Sequence, residues 1–112
     1  MYQLDLEYRR TRTKSGTAVA KLYFDKQLVA RVDQPLRYCT PETTLWIALM
    51  IGLNKAIQMG VAEIVVVVPS IAVYYKLLYK HEAGSELISS LRHLSSYFTS
   101  RLSCGYILGT VT

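Results

Sequence analysis

Polar and apolar residues alternate cleanly from Tyr2 to Tyr8. Tyr2, Leu4, Leu6 and Tyr8 fall on one face, and Gln3, Asp5 and Glu7 on the other. A period of two over this length predicts a half-buried strand. Arg9 to Gly16 (RRTRTKSG) is polar and basic and reads as a turn or long hairpin loop. Thr17–Phe24 and Gln27–Val32 are two further strand-like runs. They are joined so tightly at Asp25-Lys26 that a hairpin is expected. The first half of the chain is thus expected to be a three-stranded antiparallel meander.

The period then changes. Asp33 to Thr40, which contains Pro35, reads as a connection. Thr40 suits a helix N-cap, Pro41 the first helical position and Glu42 the positive end of the helix. Leu45, Leu49, Leu53 and Ala56 recur at helical spacing, with Trp46, Met50 and Ile57 beside them. Gly60 closes this helix. Glu63–Val68 (EIVVVV) is β-branched and does not alternate, as expected of a central strand covered on both faces. Pro69 ends it, and Ser70 caps a short helix from Ile71 to about Tyr79. His81 to Gly84 breaks the pattern, and Ser85 caps a further helix reaching about Leu102. Cys104 to Thr112 reads as a last strand. The order βββαβααβ predicts an α/β fold: one mixed five-stranded sheet with helices on its faces. Residues 1–112 are read as a single domain.

Composition adds limits. Apolar residues make up 51% of the chain and charged residues 19%, which argues for a packed core and against disorder. No apolar run approaches the roughly 20 residues needed to span a bilayer, and MYQLDLEYRR does not read as a secretion signal. An intracellular, cytoplasmic location without membrane association is therefore expected. Cys39 and Cys104 are far apart and show no metal-ligand spacing with His81 or His93. They read as free thiols. The net charge of +5 permits a polyanionic partner without requiring one.

The stretch from Thr40 to Ser70 resembles the centre of a type 1 ribonuclease H. That family's helix opens with Thr-Asn-Asn, continues with a Glu and later carries a Gly-Leu pair. Thr40, Gly52-Leu53, Ala56 and Gly60-Val61 match this pattern. The family's central strand ends in Asp-Ser; here it ends in Pro69-Ser70. The resemblance implies the ribonuclease H-like fold along nearly the whole chain.

The departures from the family bear on chemistry. Ribonucleases H hydrolyse the RNA strand of an RNA–DNA hybrid with divalent magnesium ions held by converging carboxylates. The first family Asp aligns with Glu7. The helix Glu aligns with Leu45 and the Asp after the central strand with Pro69, and neither side chain ligates a metal. The Asn pair that contacts the hybrid aligns with Pro41 and Glu42. A final helix with a fourth Asp is expected after the last strand, but the sequence stops at Thr112. No bound cofactor and no catalytic residue are therefore expected, and Glu7 is the one weak candidate for a metal ligand.

Other candidates remain. Arg9, Arg10, Arg12 and Lys14 form the densest basic cluster and suit phosphate contacts, or else a solvated loop. Tyr74, Tyr75 and Tyr79 lie on one short helix and suit base stacking, a subunit interface or ordinary packing. Trp46 reads as core. His81 and His93 have no acid or nucleophile placed beside them, so Ser/His/Asp catalysis is unsupported. The expected function is that of an inactive ribonuclease H-like module that binds RNA, DNA or a hybrid, or assembles as a homo-oligomer or with a protein partner. The connection domain of retroelement reverse transcriptases is a family precedent. The alternatives are a divergent nuclease borrowing Asp5, Glu7 and Asp33, and a protein-interaction scaffold.

Overall fold

The computed structural model describes residues 1–12, 15–37, 40–79 and 101–109. Strands β1 (Tyr2–Arg12), β2 (Ser15–Phe24) and β3 (Gln27–Arg37) precede helix α1 (Pro41–Gln58). Strand β4 (Glu63–Val68), helix α2 (Ile71–Tyr79) and strand β5 (Ser103–Leu108) follow. The strands form one sheet in the order β3-β2-β1-β4-β5. β1, β2 and β3 pair antiparallel, whereas β4 pairs parallel with both β1 and β5. This is the mixed sheet expected from the sequence. The helix expected between Ser85 and Leu102 lies outside the described residues, except for its end. There Arg101 and Leu102 form a bend leading into β5. No helix among the described residues is long and apolar enough to cross a membrane.

Two boundaries differ from expectation. The basic segment after Tyr8 is mostly strand. β1 runs on to Arg12 and β2 begins at Ser15, with a register shift between Arg10 and Arg12 that absorbs one residue. Backbone pairing continues there because Thr and Arg side chains are no obstacle to the ladder. β3 continues through Pro35 to Arg37. A proline is tolerated because β3 is an edge strand, where one N–H needs no partner.

The alternation in β1 decides which face is covered. Leu4 and Leu6 are buried with Ala18, Ala20 and Leu22 of β2 beneath Leu49, Leu53 and Ala56 of α1. Each fully buried Leu contributes about 1.5–3 kcal/mol to this core. Gly52 lets α1 sit close to the sheet, since a Cβ there would come within 2.8 Å of the Leu4 methyls and 3.0 Å of Ala20 Cβ. Gly60 has a φ of 79°. Its N–H donates to Ile57 O and that of Val61 to Ala56 O, so the helix ends in a Schellman motif. β4 buries Ile64, Val66 and Val68 in the core, but Val65 and Val67 are only half-buried on the opposite face. That face is less covered than the unbroken apolar run predicts. The β2–β3 turn places Asp25 and Lys26 at φ 47° and 70°, as a two-residue hairpin of this twist demands.

Candidate functional site

The parallel pairing sets the first residues of β1 beside β4, with Asp5 opposite Val67 near the C-terminal end of β4. α1 and α2 both begin at this end. Thr40 Oγ1 accepts from Thr43 N at 3.1 Å, and Ser70 Oγ accepts from Val73 N at 3.4 Å. These two contacts fix where each helix starts. Between them lies a cleft of about 770 Å³, whose lining includes Asp5, Glu7, Glu42, Leu45, Pro69 and Gly109. In open α/β sheets ligands bind at this place, outside the carboxyl ends of the strands. The structure thus gathers around one cleft the three positions, Glu7, Leu45 and Pro69, that are far apart in sequence.

Glu7 is the carboxylate among these three positions, and cations occupy it. Arg9 Nε donates to Oε1 at 2.9 Å and Arg9 Nη2 to Oε2 at 3.4 Å. Lys21 Nζ lies 3.3 Å from Oε2. The Arg9 hydrogen bond, helped by Lys21, holds the Glu7 carboxyl below the ordinary carboxylate range against the opposing effect of burial. Asp5 accepts from Gln3 Nε2 at 2.8 Å. Glu42, in the first turn of α1, pairs with Lys76 of α2 and ties the two helices together across the cleft. Leu45 is buried, and Pro69 has no side-chain donor. Among the described residues no group of three or more His, Cys, Asp or Glu side chains is arranged to hold a metal ion. The described residues that line the cleft do not converge as the oxygen ligands that a pair of magnesium ions needs.

The structure separates the other candidates. Arg9 shares the Glu7 face, whereas exposed Arg10 falls on the opposite one. Arg12 lies in β1, and Lys14 falls outside the described residues. Asp33 does not join the cleft; it sits on β3 and receives Arg31 Nε at 2.8 Å and Nη2 at 3.0 Å. Tyr74 packs against the core, and the exposed Tyr75 meets its ring edge-on with centroids 5.8 Å apart. Tyr79 ends α2. Trp46 is buried in the core as expected, and its Nε1 has no hydrogen-bond partner among the described residues. Cys104 is half-buried, and burial raises its thiol pKa. Cys39, His81 and His93 lie outside the described residues. Sequence reasoning missed Lys21 and Lys76. Lys21 alternates with core residues as any strand lysine does, and only cross-strand register puts it beside Glu7.

No family model matches this sequence, and no curated protein matches it. Solved structures do. The N-terminal RNase H domain of Rv2228c from Mycobacterium tuberculosis, solved as a fusion with maltose-binding protein, superposes with a TM-score of 0.84 at 16% identity, covering 98% of this chain and 84% of that one. RNase H1 from the halophilic archaeon Halobacterium salinarum gives 0.83 at 14% identity over 98% and 84%. LC11-RNase H1 in complex with an RNA/DNA hybrid gives 0.87 at 8% identity over 98% and 86%. Element order, sheet topology and these superpositions agree: the chain has the ribonuclease H-like fold.

Proposed function

We propose that this domain is a pseudo-nuclease, which holds nucleic acid without cutting it. One observation carries the reading. The cleft between the middle of β1 and the C-terminal end of β4 presents Leu45, Pro69 and a Glu7 already paired with Arg9 and Lys21, in place of converging free carboxylates. Catalysis by two metals requires oxygen ligands on both sides of the scissile bond, and the carboxylates that line the cleft have other partners: Glu7 has Arg9 and Lys21, Glu42 has Lys76, and Asp5 has Gln3. The ligand class follows from the fold's relatives, since LC11-RNase H1 was solved with an RNA/DNA hybrid. The basic residues of β1 and the net charge of +5 favour such a polyanion.

A second reading, assembly with a protein partner or another copy of the chain, is favoured by exposed Ile71 and Tyr75, one turn apart on α2. The two readings differ in solution. Fluorescence anisotropy of a labelled RNA–DNA hybrid, with magnesium present and salt varied, should show salt-sensitive binding while the label stays at full length on a denaturing gel. Glu7→Gln should bind equally well. Absence of binding at low salt would remove the nucleic-acid reading and leave assembly. Magnesium-dependent shortening of the label, lost in Glu7→Gln, would establish a divergent nuclease instead.

A further inference from the structure

The two edges of the sheet are built differently. β3 carries Arg31, Asp33 and Arg37, contains Pro35 and meets β2 with a register shift between Leu22 and Tyr23. Charges, a proline and a bulge are devices that keep an edge strand from pairing with another chain. β5 lies at the opposite edge, and its sequence SCGYIL has neither charge nor proline. Its pairing with β4 uses alternate residues: Ser103 N–H donates to Ala62 O, and Gly109 N–H to Val68 O. The residues between turn their N–H and C=O the other way. The backbone of Cys104, Tyr106 and Leu108 therefore points off the sheet, with no further strand beside it among the described residues.

The side chains of this edge are apolar where solvent meets them. Ile107 is 49% exposed and Leu108 43%. Ile107 pairs with Val67 and Gly105 with Val65, so all four share the outer face of the sheet. A Cβ at Gly105 would meet nothing within 4 Å, and its backbone is not left-handed. Neither packing among the described residues nor backbone geometry calls for glycine there. Glycine weakens a strand interior and marks places where another backbone approaches closely. α2 packs beside β5, and its Ile71 and Tyr75 add two more exposed apolar side chains.

We propose that β5 pairs antiparallel with β5 of a second copy of this chain, joining two sheets about a two-fold axis at Tyr106. Such an axis sets Tyr106 opposite the partner's Tyr106 and Cys104 opposite the partner's Leu108. The outward N–H and C=O groups of both strands then meet as hydrogen-bonded pairs. The same axis sets Gly105 opposite the partner's Ile107, so the missing side chain leaves room for the exposed one. An uncharged strand meets its own copy without opposing like charges, and a two-fold contact needs only one self-complementary patch. The six residues of β5 give an edge about 20 Å long. That contact is small beside the roughly 800 Å² per partner of a standard interface, so the dimer is a reversible one. The inference rests on the assembly reading, names its partner and does not depend on nucleic-acid binding.

Sedimentation velocity of the full chain from about 1 μM to about 1 mM tests the contact. The wild type should pass from monomer to dimer within that range. Ile107→Lys and Gly105→Val should each raise the dissociation constant about tenfold or more. The single chain has open space at Gly105, so Gly105→Val should keep the wild-type Tm or raise it, which separates lost pairing from lost folding. Val29→Lys, at an exposed position of the β3 edge, should dimerise as the wild type does. Dimerisation that Ile107→Lys and Gly105→Val leave unchanged, or that Val29→Lys abolishes, would overturn the β5 contact and leave assembly between copies standing. A wild type monomeric throughout would overturn the contact and leave the assembly reading to a foreign protein.

Discussion

The Glu7 carboxylate is a charge already answered by two cations, Arg9 and Lys21. A ligand must offer lone pairs to a metal, and both oxygens of Glu7 already face cations. The same contacts make Glu7 a pH-dependent element of stability. Its folded pKa lies below the ordinary glutamate value of about 4.5, chiefly through the Arg9 hydrogen bond. A lowered carboxylate stabilises the fold above its unfolded pKa, and that contribution disappears as pH falls through the folded value. The relevant window therefore lies below about 4.5. Because Glu7 remains 38% exposed, solvent screening limits the contribution to less than about 1 kcal/mol. Urea midpoints measured from pH 6 to pH 3 should fall for the wild type and fall less steeply for Glu7→Gln. Parallel curves would show that the ion pairs add nothing to stability.

At the scale of elements, the residues that resemble a ribonuclease H have structural work that needs no catalysis. Thr40 and Ser70 cap helices, Gly52 admits α1 to the sheet and Gly60 closes α1. Each follows from local geometry, which explains why these positions can match the family while Leu45 and Pro69 do not. The β2–β3 turn is the element with visible backbone strain. Lys26 adopts φ 70°, a region that costs a residue with a Cβ about 1–2 kcal/mol and glycine little. Lys26→Gly should therefore stabilise the domain by about 0.5–1 kcal/mol, after the greater entropy lost by glycine on folding is counted. Chemical denaturation measures this directly, and a fall in stability would mean that the Lys26 side chain contributes more than the strain costs.

At the scale of the whole molecule, the cleft brings together positions from β1, α1 and the end of β4. Its volume of about 770 Å³ and its place between the middle of β1 and the end of β4 are set by the fold, whereas its lining is set by individual side chains. Restoring the two missing carboxylates is then insufficient. The variant Leu45→Glu/Pro69→Asp should show no magnesium-dependent cleavage of a hybrid on a denaturing gel, because Glu7 stays paired with Arg9 and Lys21 and Gly109 adds no further carboxylate. Circular dichroism checks that it remains folded, since Leu45 is a buried position. Cleavage by this variant would mean that Glu7 exchanges its cations for metal readily.

Most of the architecture was legible in one dimension. Alternation in Tyr2–Tyr8, the helical stripe behind Thr40 and the β-branched Glu63–Val68 each report the face that an element must bury, and burial dominates folding. That Leu45 and Pro69 carry no metal-ligating oxygen in their side chains is a matter of residue type alone; that both line one cleft is not. Three further matters were decided only in three dimensions. β1 and β2 extend into the basic segment because backbone pairing carries no pattern of its own in polar residues. Glu7 is neutralised because cross-strand register, which the sequence does not encode locally, sets Lys21 beside it. β3 runs on through Pro35 to Arg37, opposite Ser15, because pairing with β2 outweighs the local signal of a proline. The sequence by itself determined the elements and the side-chain types that each carries, since both depend on local residue type. The tertiary structure decided which charges meet, since electrostatic contacts depend on distances that only pairing between strands creates.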